Sequence, residues 1–171
     1  MRRGLTLALA LVLGSACNND NGFVPTTPEG PSIPSIGGTY TSNTMWRFEL
    51  TRASDGVQNL VICGGAFTVG TQVGTTFTGS WQLIDPACAS LSGRVVDGAF
   101  TSTGTVTFGL SSDAADPNFL LSAFSCTYVS GDTVLTGTIS TTQINAGSST
   151  VMDCPQQGGR NTLVVRVTGA R

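Results

Sequence analysis

The sequence predicts an all-β domain, an antiparallel up-and-down barrel of about eight strands. Apolar and polar residues alternate in several short runs, turn-forming residues separate these runs, and no stretch after residue 17 keeps a helical period over three turns. Sequential hairpins must close or stack to hide their edges. A two-sheet β-sandwich is therefore the alternative fold.

The alternation of apolar and polar residues places the strands in chain order. The first run has Trp46, Phe48 and Leu50 on one side. The run Val73–Leu83 shows the same alternation of apolar and polar residues. Because neighbouring side chains of a strand point to opposite faces, each run has one face for the core. The inward residues of the later runs are predicted to be Phe77 and Trp81; Phe100, Val106, Phe108 and Leu110; Phe124, Cys126 and Tyr128; Leu135, Gly137 and Ile139; and Leu163, Val165 and Val167.

Turn residues separate these strands. Asp97-Gly98 predicts a type I′ hairpin between Ser92–Val96 and Ala99–Leu110, because both of its residues tolerate a positive φ. Further breaks are predicted at Ser54-Asp55-Gly56, Gly64-Gly65 and Gly131-Asp132, and longer loops at Ser111–Pro117 and Asn145–Arg160. Glycines on the inward side favour a barrel over a sandwich, since a missing side chain lets a strand bend at a corner; they are Gly79, Gly104 and Gly137.

The predicted domain spans residues 37–171, which is enough chain for one domain with a core. Gly38-Thr39-Tyr40 opens its first strand. This opening and the rhythm of the strands resemble lipocalin-like barrels. The resemblance implies a closed barrel that carries a small apolar ligand. No family motif matches closely enough to assign ligand-binding roles to individual residues.

The N-terminus has the pattern of an export signal. Arg2 and Arg3 precede an apolar run from Leu5 to Leu13, which is too short to span a bilayer as a permanent helix. Small residues follow this run up to Ala16. Residues 1–16 are therefore predicted to be a signal peptide, and the mature protein is expected outside the cytoplasm.

Cys17 follows the signal and resembles the lipidated cysteine of bacterial lipoproteins. Leu13 lies four residues before it, and Gly14 occupies the position three before it, where the lipobox has an apolar residue. The resemblance implies acylation of Cys17 and, from Asn18, passage to an outer membrane. The alternative is cleavage by an ordinary signal peptidase, which leaves Cys17 free and the protein secreted.

Residues 17–36 are predicted to be the lipidated cysteine and a proline-rich tether. Prolines recur every three residues, at Pro25, Pro28, Pro31 and Pro34, and three residues is the repeat of polyproline II. At ~3.1 Å per residue this segment reaches roughly 60 Å. It is predicted to be a semi-rigid spacer, with a proline-rich ligand for another protein as the alternative.

The charge of the chain excludes some partners. Without residues 1–16, six arginines stand against ten acidic residues, and the chain has neither lysine nor histidine. Nucleic-acid binding depends on neutralising phosphates, so nucleic acid is not expected as a partner. The chain also has no polybasic segment that could bind anionic lipid. Membrane association would therefore depend on Cys17.

Four cysteines remain in the exported domain, and an even number predicts two disulfides. They allow three pairings. We favour Cys63–Cys88 with Cys126–Cys154, because each pair brackets a predicted strand with Thr-Gly at its middle. A zinc site is the alternative, but the chain has no Cys-x-x-Cys and no histidine, so no metal is expected.

Catalysis is not expected, because the chain lacks the side chains that common nucleophilic mechanisms need. Without histidine or lysine there is no Ser-His, Cys-His or Ser-Lys pair. Glu49 and Asp85 are the carboxyls considered for a glycosidase-like pair, but Glu49 is predicted on a solvent face and Asp85 in a turn. Asp113, Asp116 and Asn118 are a candidate calcium site, but they lack the frame of a calcium loop, so a solvated turn is expected there.

Aromatic residues on the inner face offer a candidate ligand pocket. Trp46, Phe77, Trp81, Phe108 and Tyr128 are predicted to face the interior, which can be packed or hold a small apolar ligand. On the outside, the row Thr101-x-Thr103-x-Thr105-x-Thr107 offers a hydroxyl surface for a glycan or a protein partner. Threonine is also a common residue on the solvent face of strands.

Together these observations predict an exported, lipid-anchored, disulfide-linked β-barrel that binds or supports rather than catalyses. No cofactor is expected. The alternatives are a lipocalin-like carrier of a small hydrophobic ligand and an extracellular module that binds a protein or glycan or inhibits an enzyme.

Overall fold

The computed structural model describes residues 32–85, 88, 91–112 and 125–171. Within them the chain forms nine β-strands and a short 3₁₀ turn at Pro155–Gln157. The strands are β1 (Gly38–Arg52), β2 (Gln58–Val73), β3 (Thr76–Leu83), β4 (Ser92–Phe100), β5 (Thr105–Ser112), β6 (Thr127–Gly131), β7 (Leu135–Ile139), β8 (Gln143–Cys154) and β9 (Gly159–Ala170).

Eight of these strands close into an antiparallel barrel, which confirms the predicted fold class. The hydrogen-bonded order runs β1-β2-β3-β4-β5-β7-β8-β9, and β9 returns to β1. Closure removes the open edges that a flat sheet of hairpins would expose.

The ninth strand, β6, continues the line of β7 along β8. Gly131 of β6 pairs with Thr150, and Thr136 of β7 pairs with Gly147. In between, the Asp132 N–H donates to the Ser149 carbonyl over 3.0 Å. The Thr150 hydroxyl donates to the Asp132 carbonyl over 2.8 Å, which gives this buried hydroxyl its partner.

The up-and-down order divides the connections between two ends of the barrel. At the entry end the chain starts β1 and finishes β9, and the β2–β3, β4–β5 and β7–β8 turns lie there. At the disulfide end lie the β1–β2, β3–β4, β5–β6 and β8–β9 connections. Both disulfides, described below, involve connections at this second end.

The residues just before β1 already contact the barrel at the entry end. The Ile36 N–H donates to Gln72 Oε1 over 2.9 Å, and Gln72 Nε2 donates to the Pro34 carbonyl over 3.0 Å. Ile36, which the sequence analysis assigns to the tether, is fully buried in the core. Pro34 and Ile36 therefore pack with the described residues of the barrel.

The predicted hairpin at Asp97-Gly98 is wrong, because both residues lie inside β4. They form a β-bulge, with register shifts against β3 and β5 and a φ of 51° at Asp97. A Cβ on Gly98 would lie 2.8 Å from the Phe77 ring, so this position needs glycine. A bulge uses the same tolerance of positive φ as a type I′ turn.

The turn of this hairpin instead lies at Thr101–Gly104. The Gly104 N–H donates to the Thr101 carbonyl over 2.9 Å, and φ of Gly104 is 85°. Gly104 is therefore a turn residue. The prediction that it bends a strand at an inward position is wrong. Gly79 and Gly137 do lie within strands, where a Cβ would collide with the neighbouring strand's main chain.

Two further expectations about loops are wrong. Asn145–Arg160, predicted to be a loop, contains most of β8 and the start of β9. Gly64-Gly65, predicted to be a break, lies inside β2. The small, polar residues of β8 hide its alternation, and its pairing with β7, β6 and β9 supplies the order that its side chains do not indicate.

Candidate functional site

The two disulfides join Cys63 to Cys88 and Cys126 to Cys154, the pairing that the sequence analysis favours. The first links β2 to the β3–β4 connection, across a Cα–Cα distance of 5.9 Å. The second links the residue before β6 to the last residue of β8. Each bond therefore ties a connection at the disulfide end to a strand of the wall.

The barrel interior contains four of the five aromatic residues proposed for a pocket. Trp46, Phe77, Trp81 and Phe108 are buried. The Trp46 and Trp81 rings meet edge to face at 5.7 Å, and Phe77 and Phe108 do so at 6.4 Å. Such pairs are a favoured arrangement of packed aromatic side chains.

Two further aromatic residues of the core were not singled out from the sequence. Phe67 packs against Phe108 with ring centroids 4.9 Å apart, and Tyr40 lies 6.5 Å from Phe67. Tyr40 opens the first strand and Phe67 follows Gly64-Gly65, which the sequence analysis treats as a break. Alternation extended through those glycines would have placed Phe67 on the inner face.

Tyr128, the fifth aromatic residue proposed for the pocket, is 49% exposed, so its assignment to the interior is wrong. It belongs to β6, whose five residues are all exposed. Among the described residues β6 pairs with β8 alone. It therefore lies in line with β7 but outside the ring of eight paired strands. The Tyr128 hydroxyl donates to the nearby Gly131 carbonyl over 3.0 Å.

The two indole N–H groups of the core differ in their partners. Trp81 Nε1 donates to the Ser111 carbonyl over 3.0 Å. Trp46 Nε1 is buried without a hydrogen-bond partner. It lies against Gly65, where a Cβ would be 2.6 Å from this nitrogen. Gly65 therefore makes room for the Trp46 ring.

The candidate acid residues Glu49 and Asp85 lie on different parts of the barrel, on β1 and just after β3. Glu49 accepts a hydrogen bond from Arg47 over 3.1 Å in an ion pair on the outer face of β1. Asp85 follows β3 and lines a shallow groove with Ile84 and Gly64. Asp113, Asp116 and Asn118 lie outside the described residues, as do Phe124 and Cys17. Among the residues that are described, no group of three or more potential metal ligands comes together.

The predicted threonine row is not flat. Thr101 and Thr103 belong to the β4–β5 turn, with their hydroxyl oxygens 2.7 Å apart, whereas Thr105 and Thr107 lie on β5. The four hydroxyls therefore do not form one strand surface, because the chain turns in the middle of the row.

A groove of about 620 Å³ lies over β7, β8 and β9 on the outside of the barrel. Gly147 forms part of its floor, where a Cβ would approach the Val165 carbonyl. Hydrogen-bonding side chains line it, namely Asp132, Thr136, Thr138, Asn145, Ser148, Ser149 and Arg166. Hydroxyl groups thus gather on this face and not on the predicted row.

Within the described part of the chain, no helix is long and apolar enough to cross a membrane. No family model, curated protein or solved structure matches this chain.

Proposed function

We propose that this protein is an exported, lipid-anchored binding module that works through the outside of its barrel. The filled interior carries this proposal. Trp46, Trp81, Tyr40, Phe67 and Phe108 are among the largest fully buried side chains, and their rings contact one another. Side chains that pack in this way occupy the space in which a carrier barrel holds its ligand.

Export and anchoring are supported by the cysteines. Disulfides persist in oxidising compartments, and the domain has two of them. Cys17 follows a signal-like segment in the sequence, and the other four cysteines pair with each other. We infer that it carries the acyl chains, with two or more needed for stable anchoring.

The chemistry of the chain supports binding over catalysis. It has no histidine and no lysine, and Glu49 is engaged by Arg47. The lipocalin-like carrier is the alternative function, and its ligand would have to displace the packed aromatic rings or enter between them.

Native mass spectrometry distinguishes the two functions. The chain from Cys17 onward is produced in an oxidising compartment, and its intact mass is compared before and after reduction. An external binding module gives the apo mass, lower than the reduced mass by four hydrogens. A small apolar molecule that copurifies and leaves on mild activation would instead establish a carrier and overturn the proposal.

A further inference from the structure

The groove over β7, β8 and β9 has a glycine in the middle of a row of outward residues. Thr136 of β7 pairs with Gly147 of β8, and Gly147 pairs with Arg166 of β9. Thr136 and Arg166 are exposed, and Gly147 has no side chain to fill the space between them. All three residues line the groove, which we call the glycine groove.

The main chain under the glycine groove is already paired. β8 pairs with β7 on one side and with β9 on the other, and β9 pairs in turn with β1. The N–H and C=O groups of a strand point sideways to its two neighbours, where these pairings use them. A ligand of the glycine groove therefore cannot add as a further strand, and side chains must recognise it.

Neutral hydrogen-bonding side chains are available in the glycine groove. Thr136, Asn145 and Ser149 line it and are exposed. Within the described part of the chain, no hydrogen bond engages these three side chains. Each can donate and accept, and side chains on neighbouring strands lie about 5 Å apart. Such an array suits a ligand that carries several hydroxyl groups on a rigid frame.

Asp132 adds a carboxylate with a fixed orientation to the glycine groove. Asp132 Oδ1 accepts a hydrogen bond from the Val134 N–H over 2.8 Å. This local bond holds the side chain in a turn. Carboxylate oxygens accept more than one hydrogen bond, so Asp132 can also accept from the hydroxyl groups of a ligand.

Arg166 gives the glycine groove a positive charge. Its cross-strand partner on β1 is Arg47, and both arginines are exposed. Glu49 pairs with Arg47 at 3.1 Å, whereas no acidic side chain pairs with Arg166 among the described residues. Like charges on neighbouring strands repel, so an anion bound at Arg166 relieves a repulsion in the free protein. A guanidinium binds a carboxylate through two parallel hydrogen bonds.

The apolar part of the glycine groove consists of small side chains. Among its described lining residues the apolar side chains belong to Val134, Ala146, Val164 and Val165, with no aromatic ring. Protein partners are usually anchored by aromatic or arginine side chains in well-packed pockets. A sugar ring instead presents a small C–H face and a rim of hydroxyl groups, which matches the mixed lining of this groove.

We propose that the glycine groove binds an oligosaccharide that contains a uronic acid. This proposal rests on the proposed function, because it assigns the outer site of the binding module and the class of its ligand. Arg166 binds the carboxylate of the sugar, and the hydroxyl, amide and Asp132 side chains bind its hydroxyl groups. The C–H face of one ring lies over Gly147 and against Val164. β7 and β9 are roughly 10 Å apart, so a trisaccharide extends across the groove.

A titration followed by nuclear magnetic resonance tests this proposal. The oxidised chain from Cys17 onward, carrying Cys17→Ser, is titrated with trisaccharides of galacturonate, glucuronate, mannuronate and guluronate. At least one should give saturable shifts of the Thr136, Gly147 and Arg166 amide signals. The same trisaccharide with its carboxylates reduced to alcohols should bind about tenfold more weakly. Added salt should weaken the acidic trisaccharide more than the reduced one.

Variants assign the contacts to single side chains. Arg166→Gln should raise the Kd of the bound trisaccharide about tenfold, and Thr136→Val, which removes a hydroxyl at similar volume, about threefold. Arg94→Gln and Thr78→Val are the matched controls, because these residues are also exposed but lie on β4 and β3. Both controls should leave the Kd unchanged, and circular dichroism checks that all four variants are folded.

Three results would overturn the proposal. All four trisaccharides could fail to shift the amides of the groove, or the reduced trisaccharide could bind as tightly as the acidic one. Alternatively, a capped triglutamate peptide could bind the same residues more tightly than every trisaccharide, which would assign the groove to an acidic protein segment. The proposed function fails through a different result, a copurifying apolar molecule inside the barrel, which the titration of the outer face does not depend on.

Discussion

The indole rings of Trp46 and Trp81 meet edge to face in the core, with centroids 5.7 Å apart and planes at 64°. Their N–H groups are not equivalent, because Trp81 donates to the Ser111 carbonyl and Trp46 has no partner. The contact joins β1 to β3 across the interior, since Trp46 lies on the first and Trp81 on the other.

We therefore expect Trp81→Phe to cost more stability than Trp46→Phe. Both substitutions remove a similar volume from the core, but only Trp81→Phe leaves the Ser111 carbonyl without its donor. The difference should be about 1–2 kcal/mol in the free energy of unfolding. Guanidinium denaturation of the two oxidised variants measures it. Equal losses would contradict a stabilising role of the Trp81 hydrogen bond.

The Gly65 position should reject a side chain. Its Cβ would collide with the Gln82 carbonyl oxygen of β3 and lie 2.6 Å from Trp46 Nε1, so Gly65→Ala must displace the neighbouring strand as well as the buried indole. We expect a loss of about 1–3 kcal/mol, the usual cost of overpacking. Gly70→Ala is the matched control on the same strand, because its Cβ would make an ordinary contact of 3.6 Å. A similar loss in both variants would point to a general effect of removing glycine from β2.

At these positions the sequence predicts which residues face the core but does not predict where the chain turns. Alternation identified Trp46 and Trp81 as inward residues, because apolar periodicity is a local property. It could not distinguish a bulge from a turn at Asp97-Gly98, since both use residues that tolerate positive φ. The packing of Phe77 against Gly98 decides that choice, and it depends on a residue of another strand.

The candidate site was predictable to a smaller extent. The cysteine pairing followed from spacing around two strands, whereas the register of β6 against β8 depends on contacts between segments that are distant in the sequence. The exposure of Tyr128 likewise depends on where β6 lies relative to the closed wall.

Each disulfide should contribute about 3 kcal/mol to stability. The bonds close loops with sequence separations of 25 and 28 residues, so loop-closure entropy predicts nearly equal effects. Cys63→Ala with Cys88→Ala, and separately Cys126→Ala with Cys154→Ala, test this by denaturation. A loss several times larger for one pair would show that native packing around that bond adds to the entropic term.

Alkaline pH should destabilise the domain through Tyr40. Its hydroxyl lies 2.7 Å from the Ser140 carbonyl and 2.9 Å from the Ile36 carbonyl. Burial raises the pKa of Tyr40 above its ordinary value of 10.0, and the charge and hydrogen bonding of Arg171 oppose that rise. Between the unfolded and folded pKa values only the unfolded chain releases the proton. Stability present below about pH 10 is therefore lost as the pH rises through the folded pKa.

The variant Tyr40→Phe isolates this contribution. It should lower stability near neutral pH by about 1–3 kcal/mol, because the carbonyls of Ser140 and Ile36 lose their donor. Between pH 9 and pH 12 its stability should decline less steeply than that of the parent chain. Tyr128→Phe is the control, since that phenol is exposed. A steep decline that persists in Tyr40→Phe would assign the alkaline transition to other groups.

Cys17→Ser should release the protein from membranes. If Cys17 is acylated, the parent chain incorporates a clickable palmitate analogue in bacterial cells and partitions into detergent, and Cys17→Ser does neither. Gly14→Leu places an apolar residue three positions before the cysteine, where lipoproteins have one, so it should retain or increase the labelling. Cleavage by an ordinary signal peptidase predicts the opposite pattern, in which the parent chain and Cys17→Ser are equally soluble and unlabelled.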